Sequence, residues 1–407
     1  MEATKTHSPK NGENKTSLIN RIKNRLRYLD LWLLIPIIAI MIFGDAMVYT
    51  ASTNMATGSA LSFLKKQATF GVLSLTAMLF IFIFKIKWES RFINRVVLAA
   101  NVTVLVVMVI TLLVGPVTSG AKGWIYIGSF GIQPLEYFKI SMILYVAHRF
   151  ARKMPQKNVL FPKIKIWDLM IPVVGILLTM RMPDFGGAII LILILLFMVV
   201  TSGVRKGTFV GLVTMILIMY VAIPFLLPVL AKLPFFHYQL ARFEAYVNPW
   251  LAGDSGHQLI NSYYAISNGG LFGRGLGNSI QKTGYLPEPN TDFIMAIVGE
   301  ELGAITIWLV LAVFAIIIWR LIVMGVRARL MHQRLILYGI ATYIVVQIFI
   351  NLGGVVGALP ITGVTFPMIS YGGSSLLSWG LTFGVALNVI GQIKADTKHH
   401  TPRKENA

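Results

Sequence analysis

The chain has 407 residues, of which 56% are hydrophobic and only 13% are charged. Its 36 lysine and arginine residues outnumber 16 acidic residues, which gives a formal net charge of +20. This composition excludes an ordinary soluble domain, in which roughly a quarter of the residues are charged. It also disfavours nucleic-acid binding, since such proteins gather their basic residues on a polar face beside a soluble core. Cysteine is absent, so disulfides and cysteine-based metal sites are excluded.

Long apolar stretches predict membrane-spanning helices. A hydrocarbon layer of ~30 Å needs about 20 apolar residues in a helix, because no water is available there to pair with the backbone. Two of the candidate spans are weaker, since Pro134 to Phe150 carries charges and Trp167 to Met180 is short. We predict an all-α polytopic membrane protein of about ten transmembrane helices, whose clear spans are Leu31 to Ala51, Ala68 to Phe84, Val96 to Val117, Gly187 to Ser202, Phe209 to Leu230, Phe293 to Trp319, Leu335 to Val356 and Leu376 to Ile393.

The basic residues fall mainly on one side of these spans. With a cytoplasmic N-terminus, 27 of the 36 lie on the cytoplasmic side, 8 lie outside, and Lys139 lies within a span. This asymmetry predicts that both termini are cytoplasmic. We interpret residues 1–28 as a retained basic tail rather than a signal peptide, and residues 395–407 as a second tail. The basic loops then reflect topology and attraction to anionic lipid rather than to nucleic acid.

A segment of about 60 residues, 231–291, separates predicted helices 7 and 8 on the outer side. It is too long for a plain connector, which is typical of a functional loop. The glycines between Asn268 and Asn278 would allow the backbone to approach a ligand closely. A phosphate loop would need those glycines to open a helix. Six of the 16 acidic residues lie in or just after this segment, namely Glu244, Asp254, Glu288, Asp292, Glu300 and Glu301.

Asp292 is the most informative of these acids. Prolines prevent any helix before Asn290, and the apolar run starts at Phe293. We predict that Asn290 or Thr291 caps the helix and that Asp292 lies in its first turn, at the outer membrane surface.

Two roles fit an acid at this position. Asp292 could simply face the positive end of the helix dipole, which contributes a fraction of a kcal/mol. It could instead be a general base that the same dipole holds ionised. Glu300 lies about 12 Å further along the helix, too far away for a close carboxylate pair, which disfavours a two-carboxylate glycosidase arrangement within this segment.

Ionisable residues inside spans are also candidates, because an unpaired charge in hydrocarbon is costly. Glu136 and Lys139 lie three residues apart on one helix face, so either a mutual ion pair or substrate contact fits them. Asp184 precedes a predicted outer helix start, where it could cap the helix or contact a ligand or cation. For Asp45, inside the first span, we expect a buried hydrogen bond.

Three motifs resemble a known family. The residues from Ile132 to Lys139, from Asn268 to Gly303 and from Leu359 to Ser375 are similar to those of the SEDS proteins of shape, elongation, division and sporulation. The resemblance covers about Leu29 to Lys394, which predicts a single transmembrane domain over residues 29–394. Residues 47–52 are more similar to the FtsW branch than to the RodA branch.

The resemblance implies a peptidoglycan glycosyltransferase that polymerises lipid II into glycan strands on the outer face of a bacterial cytoplasmic membrane. It also implies a class B penicillin-binding protein and other divisome proteins as partners. The catalytic residue would be Asp292. The predicted substrate-binding residues are Glu136, Lys139, Asp184, Gln258, Arg274, Glu288, Trp124 and Ser370. Near Trp124 the usual arginine of the family is replaced by Gly123, with Lys122 adjacent.

In the mechanism that these residues suggest, Asp292 deprotonates the acceptor 4-hydroxyl, which attacks C1 of the donor sugar with inversion. Lys139, Arg274 or a divalent cation such as Mg²⁺ or Mn²⁺ would stabilise the departing pyrophosphate, and no organic cofactor is expected. The alternatives are an elongation-type, RodA-like polymerase, a transporter that flips lipid-linked precursor, and a noncatalytic scaffold. A flippase does not require the long acidic outer segment.

Overall fold

A computed structural model describes residues 18–55, 58–117, 121–128, 130–153, 166–203 and 237–400, together with residues 210 and 214. Within these residues the strands β1 (Ile125–Ile127) and β2 (Phe130–Ile132) pair antiparallel as a hairpin. The helices are α1 (Leu18–Leu26), α2 (Leu31–Ala51), α3 (Ala60–Ile83), α4 (Arg91–Val114), α5 (Pro134–Lys153), α6 (Met170–Arg181), α7 (Phe185–Thr201), α8 (His237–Val247), α9 (Gly253–Gly269), α10 (Ile294–Arg327), α11 (Met331–Val355) and α12 (Gly373–His400).

The described helices agree with the predicted all-α membrane architecture. Six of them are long and apolar enough to cross a membrane, namely α2, α3, α4, α10, α11 and α12. The two weaker predicted spans coincide with α5 and α6. The predicted span Gly187 to Ser202 coincides with α7. With 12 residues, α6 is about 18 Å long, which is shorter than the hydrocarbon layer. The predicted span Phe209 to Leu230 is not among the continuously described residues, so the number of ten crossings stays a prediction.

Small residues bring α3 and α12 into close contact. A Cβ atom on Gly380 would lie 2.3 Å from the Ser74 hydroxyl, and one on Gly384 would lie 3.0 Å from the Met78 Cα. The Ser74 hydroxyl also donates a 2.8 Å hydrogen bond to the Leu376 carbonyl. Small residues allow such close approach inside a membrane, where apolar burial gives little preference for helix contact over lipid contact.

An ion cluster joins three helix ends at one end of the bundle. Asp30, which precedes α2, is fully buried and accepts hydrogen bonds of 3.1 and 2.6 Å from Arg320 of α10. Lys394 of α12 lies 2.8 Å from the same carboxylate. Burial raises the pKa of Asp30, but the two cations outweigh this effect and hold it below the usual value. We call this end of the bundle the Asp30 end and the opposite end the Asp292 end.

The described part of the long segment contains two helices, α8 and α9, followed by the glycine-rich stretch. These glycines follow the C-terminal end of α9 and do not open a helix, so the arrangement of a phosphate loop is not present. They pack instead against a kink in α10 at Gly303, where φ is 80° and ψ is 173°. The Arg274 and Gly275 amides donate to the Glu300 and Glu301 carbonyls at 3.0 and 2.9 Å.

The carboxylates of Glu300 and Glu301 hold the residues that follow the glycines. Glu300 accepts hydrogen bonds from the Ser279 hydroxyl and from the Ile280 and Gln281 amides. Glu301 forms a 2.6 Å buried ion pair with Lys282. Glu300 and Glu301 therefore have a structural role, since their carboxylates bind residues 279–282 of the loop.

Substitution of Gly303 tests the importance of this kink. Gly303 and Gly270 both have a positive φ with an extended ψ, a region that non-glycine residues enter at a cost of about 1–3 kcal/mol. A Cβ on Gly303 would also lie 2.3 Å from the Leu271 carbonyl oxygen, whereas nothing lies within 4 Å of one on Gly270. We expect Gly303→Ala to lower the thermal unfolding midpoint in detergent clearly more than the control Gly270→Ala. Equal shifts would show that the close contact is unimportant.

Candidate active site

The turn that carries Asp292 differs in detail from the prediction. Helix α10 begins at Ile294, and its N-cap residue is Phe293, which makes no side-chain capping bond. Asp292 therefore lies just before the helix rather than in its first turn, and the predicted capping by Asn290 or Thr291 is wrong. The reason is that both side chains have other partners. Asn290 donates to the Ser52 hydroxyl at 3.0 Å, and Thr291 donates to neighbouring carboxylates.

Hydrogen bonds from distant residues hold this turn. The Asn351 amide donates to the Asp292 carbonyl at 2.8 Å and to the Val364 carbonyl at 2.7 Å. The Ser370 hydroxyl donates to the Thr291 carbonyl at 2.6 Å. Ser370 was predicted to bind substrate, and the structure shows it positioning the residue next to Asp292.

The Asp292 side chain borders a small cleft at this end of the bundle. The cleft contains about 10 Å³ of space that water can occupy, which is roughly the room for one molecule. Its walls come from the turn itself, the end of α11 and the segment after it, and they consist of Asp292, Phe293, Ile350, Asn351, Gly354, Val355, Ile361, Thr362, Gly363 and Val364. Asp292 thus lines a space that a small polar group can enter.

The surroundings of Asp292 make its carboxylate more basic. Burial raises the pKa of Asp292, and the negative charge of Glu288 raises it further. The hydrogen bond of 2.9 Å from the Thr291 hydroxyl and the positive charge of Arg242 lower it, but the net shift is upward. A general base is most effective when its pKa lies closer to the working pH, so this environment suits proton abstraction.

Arg242 is a residue of this site that the sequence analysis did not select. It lies on α8, and its guanidinium donates to the Ile361 carbonyl at 3.3 Å. Its positive charge lowers the pKa of both Asp184 and Asp292. The only available signal in the sequence was its position, as one of few basic residues within the acid-rich outer segment.

Glu136 and Lys139 form an ion pair, which was one of the two alternatives for them, and their contact with substrate stays a prediction. The ammonium lies 2.5 Å from the Glu136 carboxylate, and the two side chains are only 7% and 2% exposed. The Lys139 ammonium also donates to Gln347 at 3.2 Å, and the Tyr343 hydroxyl donates to Glu136 at 3.4 Å. Neither buried charge is therefore left uncompensated, which would be strongly destabilising.

Three polar side chains of α11 connect this ion pair to the Asp292 turn. Tyr343, Gln347 and Asn351 are spaced four residues apart, so they share one helix face. Gln347 accepts from Lys139 and donates to the Thr365 carbonyl at 2.9 Å, one turn before Asn351 reaches Asp292. We call these three residues the α11 polar stripe. Their period in an otherwise apolar span was a signal that the sequence analysis missed.

Asp184 caps α7 by accepting a 2.8 Å hydrogen bond from the Gly187 amide, as its predicted capping role requires. Burial raises the pKa of Asp184, while this hydrogen bond and the charges of Lys139 and Arg242 lower it. The two charges place Asp184 in the same electrostatic neighbourhood as the ion pair and the Asp292 turn.

Comparison with known proteins identifies the family. Residues 30–395 match the family of cell cycle proteins that comprises FtsW, RodA and SpoVE. The chain belongs to the FtsW/RodA/SpoVE family. It is 38% identical to the probable peptidoglycan glycosyltransferase FtsW of Lactococcus lactis subsp. lactis strain IL1403, over 91% of this chain and 94% of the relative. It is 37% identical to stage V sporulation protein E of Bacillus subtilis strain 168, over 88% and 96%.

Solved structures agree with this assignment at the level of the fold. One chain of a peptidoglycan synthase complex superposes with a TM-score of 0.69 at 23% identity, covering 90% of this chain and 98% of that chain. The Rod shape determining protein RodA of Thermus thermophilus superposes with a TM-score of 0.60 at 24% identity, covering 89% and 96%. Together with the apolar helices, family membership makes this chain a multi-pass membrane protein.

The remaining predicted residues differ in the contacts that they make. Glu288 adopts a left-handed backbone, with φ 54°, and its carboxylate accepts from the Thr291 hydroxyl at 3.1 Å, next to Asp292. Gln258 and Arg274 have no side-chain hydrogen bond or ion pair with the described residues, and Arg274 is exposed.

Trp124 precedes the hairpin and packs against Gly131. The hairpin is held near Asp184, because the Lys122 amide donates to the Met182 carbonyl at 3.2 Å. Asp45 is half-buried but makes no hydrogen bond with the described residues, so the buried hydrogen bond expected for it is not found.

The Glu136–Lys139 pair can be tested by a double-mutant cycle. Lys139→Met leaves a buried carboxylate without its cation, which destabilises by about 3–5 kcal/mol. We expect Lys139→Met to lower the thermal unfolding midpoint in detergent strongly. The double variant Glu136→Gln/Lys139→Met should recover most of this loss because no unpaired charge remains. A double variant as unstable as the sum of both single variants would contradict this expectation.

Proposed function

We propose that this protein is a peptidoglycan glycosyltransferase that polymerises lipid II into glycan strands. The observation that carries the proposal is the basic Asp292 carboxylate, held by its backbone at the edge of a cleft and facing the charges of Arg242 and Glu288. The named activity of the FtsW relative supports the same reaction. The orientation with Asp292 on the outer side, and with both termini in the cytoplasm, follows from the distribution of basic residues.

In the proposed reaction, Asp292 accepts the proton of the acceptor 4-hydroxyl. The hydroxyl oxygen then forms a bond to C1 of the donor sugar, and the bond from C1 to the pyrophosphate oxygen breaks with inversion. The pyrophosphate leaves with the bonding electron pair, so stabilisation of its negative charge matters more than protonation. One carboxylate base is therefore sufficient.

Among the described residues, Arg242 is the cation that we assign to the departing pyrophosphate. Its charge acts on both Asp184 and Asp292, and it lies beside the segment that walls the cleft. Lys139 is buried in its ion pair with Glu136, which suits a role in fixing the site. The exposed Arg274 has no contact that places it near Asp292, although it could meet a bound substrate.

A divalent cation is part of the proposal. The described residues contain no group of three or more histidine, aspartate or glutamate side chains that could hold a metal ion. Mg²⁺, however, commonly binds one or two carboxylates together with substrate phosphates and water. Glu288 would be its protein ligand, because its carboxylate lies beside the Asp292 turn, where it accepts from the Thr291 hydroxyl, and Asp292 would remain the base. When bound, the cation would neutralise pyrophosphate charge.

The proposed division role rests on the FtsW relative and on the similarity of residues 47–52 to the FtsW branch. A class B penicillin-binding protein is the proposed partner, since one structural relative is a chain of a peptidoglycan synthase complex. We also propose other divisome proteins as partners, on the basis of the same family relationship.

The base assignment predicts the behaviour of Asp292→Ala. We expect glycan synthesis from lipid II by the purified protein to fall by roughly 10²–10⁴-fold, the usual contribution of a general base. The matched control is Asp254→Ala, which removes an exposed carboxylate from the first turn of α9 in the same outer segment.

Both variants should be assayed with and without a class B penicillin-binding protein. Glycan chains formed by Asp292→Ala at the wild-type rate would reject the base assignment. Flipping of fluorescent lipid II in liposomes without any glycan synthesis would reject the polymerase and favour a transporter.

The pH dependence of the reaction gives a second test. Because the positive charge of Arg242 lowers the pKa of Asp292, Arg242→Gln should raise that pKa further. The acid limb of the kcat profile should then move to higher pH. Lys66→Gln, which removes an exposed basic residue near the start of α3, serves as the control and should leave the limb in place. A limb that stays fixed in Arg242→Gln would contradict the electrostatic coupling.

A further inference from the structure

A second cavity lies at the Asp30 end, remote from Asp292. It contains about 430 Å³ of space, which is within the range of small-molecule sites. It lies between the start of α4 and the last turn of α5. Both of these helix ends are at the Asp30 end of the bundle. Its lining consists of Glu89, Arg91, Asn94, Arg95 and Arg152.

The three arginines of this cavity have no acidic partner within the described residues. The ion pairs nearest in sequence use other cations, since Asp168 pairs with Arg149 and Lys153. Glu89, the only acid of the lining, forms no ion pair with the described residues. Three guanidinium groups therefore face one carboxylate, which leaves an excess of two positive charges around the space.

Topology alone does not explain this arrangement. A positive-inside signal requires basic residues near the ends of spans but places no condition on their convergence. Here arginines from two separate helices border one cavity. Arginine side chains recognise phosphate through paired N–H donors, and the N-terminus of α4, a helix of 24 residues, adds its positive dipole.

The neighbouring surface of α4 is apolar and exposed. Phe92 and Val96, each adjacent in sequence to a lining arginine, are 72% and 46% exposed. In a membrane-spanning helix these side chains contact lipid chains. A molecule with a phosphate group and acyl chains could thus contact the arginines and the apolar face together.

We propose that this cavity binds the headgroup of an anionic phospholipid that carries free hydroxyls, of the phosphatidylglycerol type. The phosphodiester would contact Arg91, Arg95 and Arg152. The headgroup hydroxyls would donate to Glu89 and pair with Asn94, which gives the one acid of the lining a partner. A soluble phosphate could use the same arginines but would leave the apolar face of α4 unused.

Lipid binding can be measured by native mass spectrometry of the full chain released from detergent. Dioleoyl phosphatidylglycerol is the probe and dioleoyl phosphatidylcholine is the reference lipid. We expect the triple variant Arg91→Gln/Arg95→Gln/Arg152→Gln to bind phosphatidylglycerol at least about tenfold more weakly than the wild type. Binding of phosphatidylcholine should not change.

The matched control removes three exposed arginines from the same end without touching the cavity, as Arg27→Gln/Arg327→Gln/Arg329→Gln. Equal loss of phosphatidylglycerol in both triple variants would overturn the proposal, because binding would then follow net charge alone. Competition by inorganic phosphate or glycerol 3-phosphate at concentrations below that of the lipid would overturn the assignment to a lipid.

If the first triple variant does not fold, the single variants Arg91→Glu and Arg152→Glu replace it. Each places a carboxylate where the phosphodiester is proposed to bind, so each should abolish the rise in thermal unfolding midpoint that phosphatidylglycerol gives the wild type. A rise equal to that of the wild type in both variants would also overturn the proposal.

Discussion

The arrangement of the Asp292 end depends on the hydrogen bonds of the α11 polar stripe. The backbone of a turn or an irregular segment needs partners, because an unpaired polar group in a membrane interior costs several kcal/mol. Asn351 supplies one amide group to both the Asp292 and the Val364 carbonyls, and thereby joins the turn before α10 to the segment after α11. Gln347, one helical turn before Asn351, forms a similar link, since its side chain accepts from Lys139 and donates to the Thr365 carbonyl.

This stripe explains how an irregular backbone can persist beside the hydrocarbon layer. Membranes tolerate non-helical segments only where protein or a cavity surrounds them. The segment from 357 to 372 satisfies this condition, since α11 binds its carbonyls and the Ser370 hydroxyl links it to Thr291. Glu288, in the turn before α10, and Met368, in this segment, both adopt left-handed backbone, with φ 54° and 60°. Non-glycine residues pay for such conformations only where neighbouring structure enforces them, which is common at functional sites.

The two ends of the bundle show different uses of charge. At the Asp30 end, Asp30 is fully paired with Arg320 and Lys394, and it connects three helix ends that are distant in sequence. At the Asp292 end, the pairing is incomplete. The pKa of Asp292 stays raised although Arg242 is close, because burial outweighs the attraction. A fully paired carboxylate at one end and a carboxylate of raised pKa at the other therefore differ in how far nearby cations compensate their burial.

The sequence by itself determined the class of protein, the positions of most helices and the catalytic candidate. Apolar stretches of sufficient length can only be satisfied as helices in lipid, so α2, α10, α11 and α12 were predictable from composition alone. Asp292 was conspicuous because acids are scarce and the segment before α10 is broken by prolines.

Only the tertiary structure decided which residues meet. Arg242 on α8 and Asn351 on α11 reach the Asp292 turn through contacts between elements far apart in sequence, which no local spacing specifies. The start of α10 was misplaced for the same reason, since Asn290 donates to Ser52, the residue after α2, instead of capping its own helix. Local capping rules assume that a polar side chain has no better partner, and long-range packing supplied one.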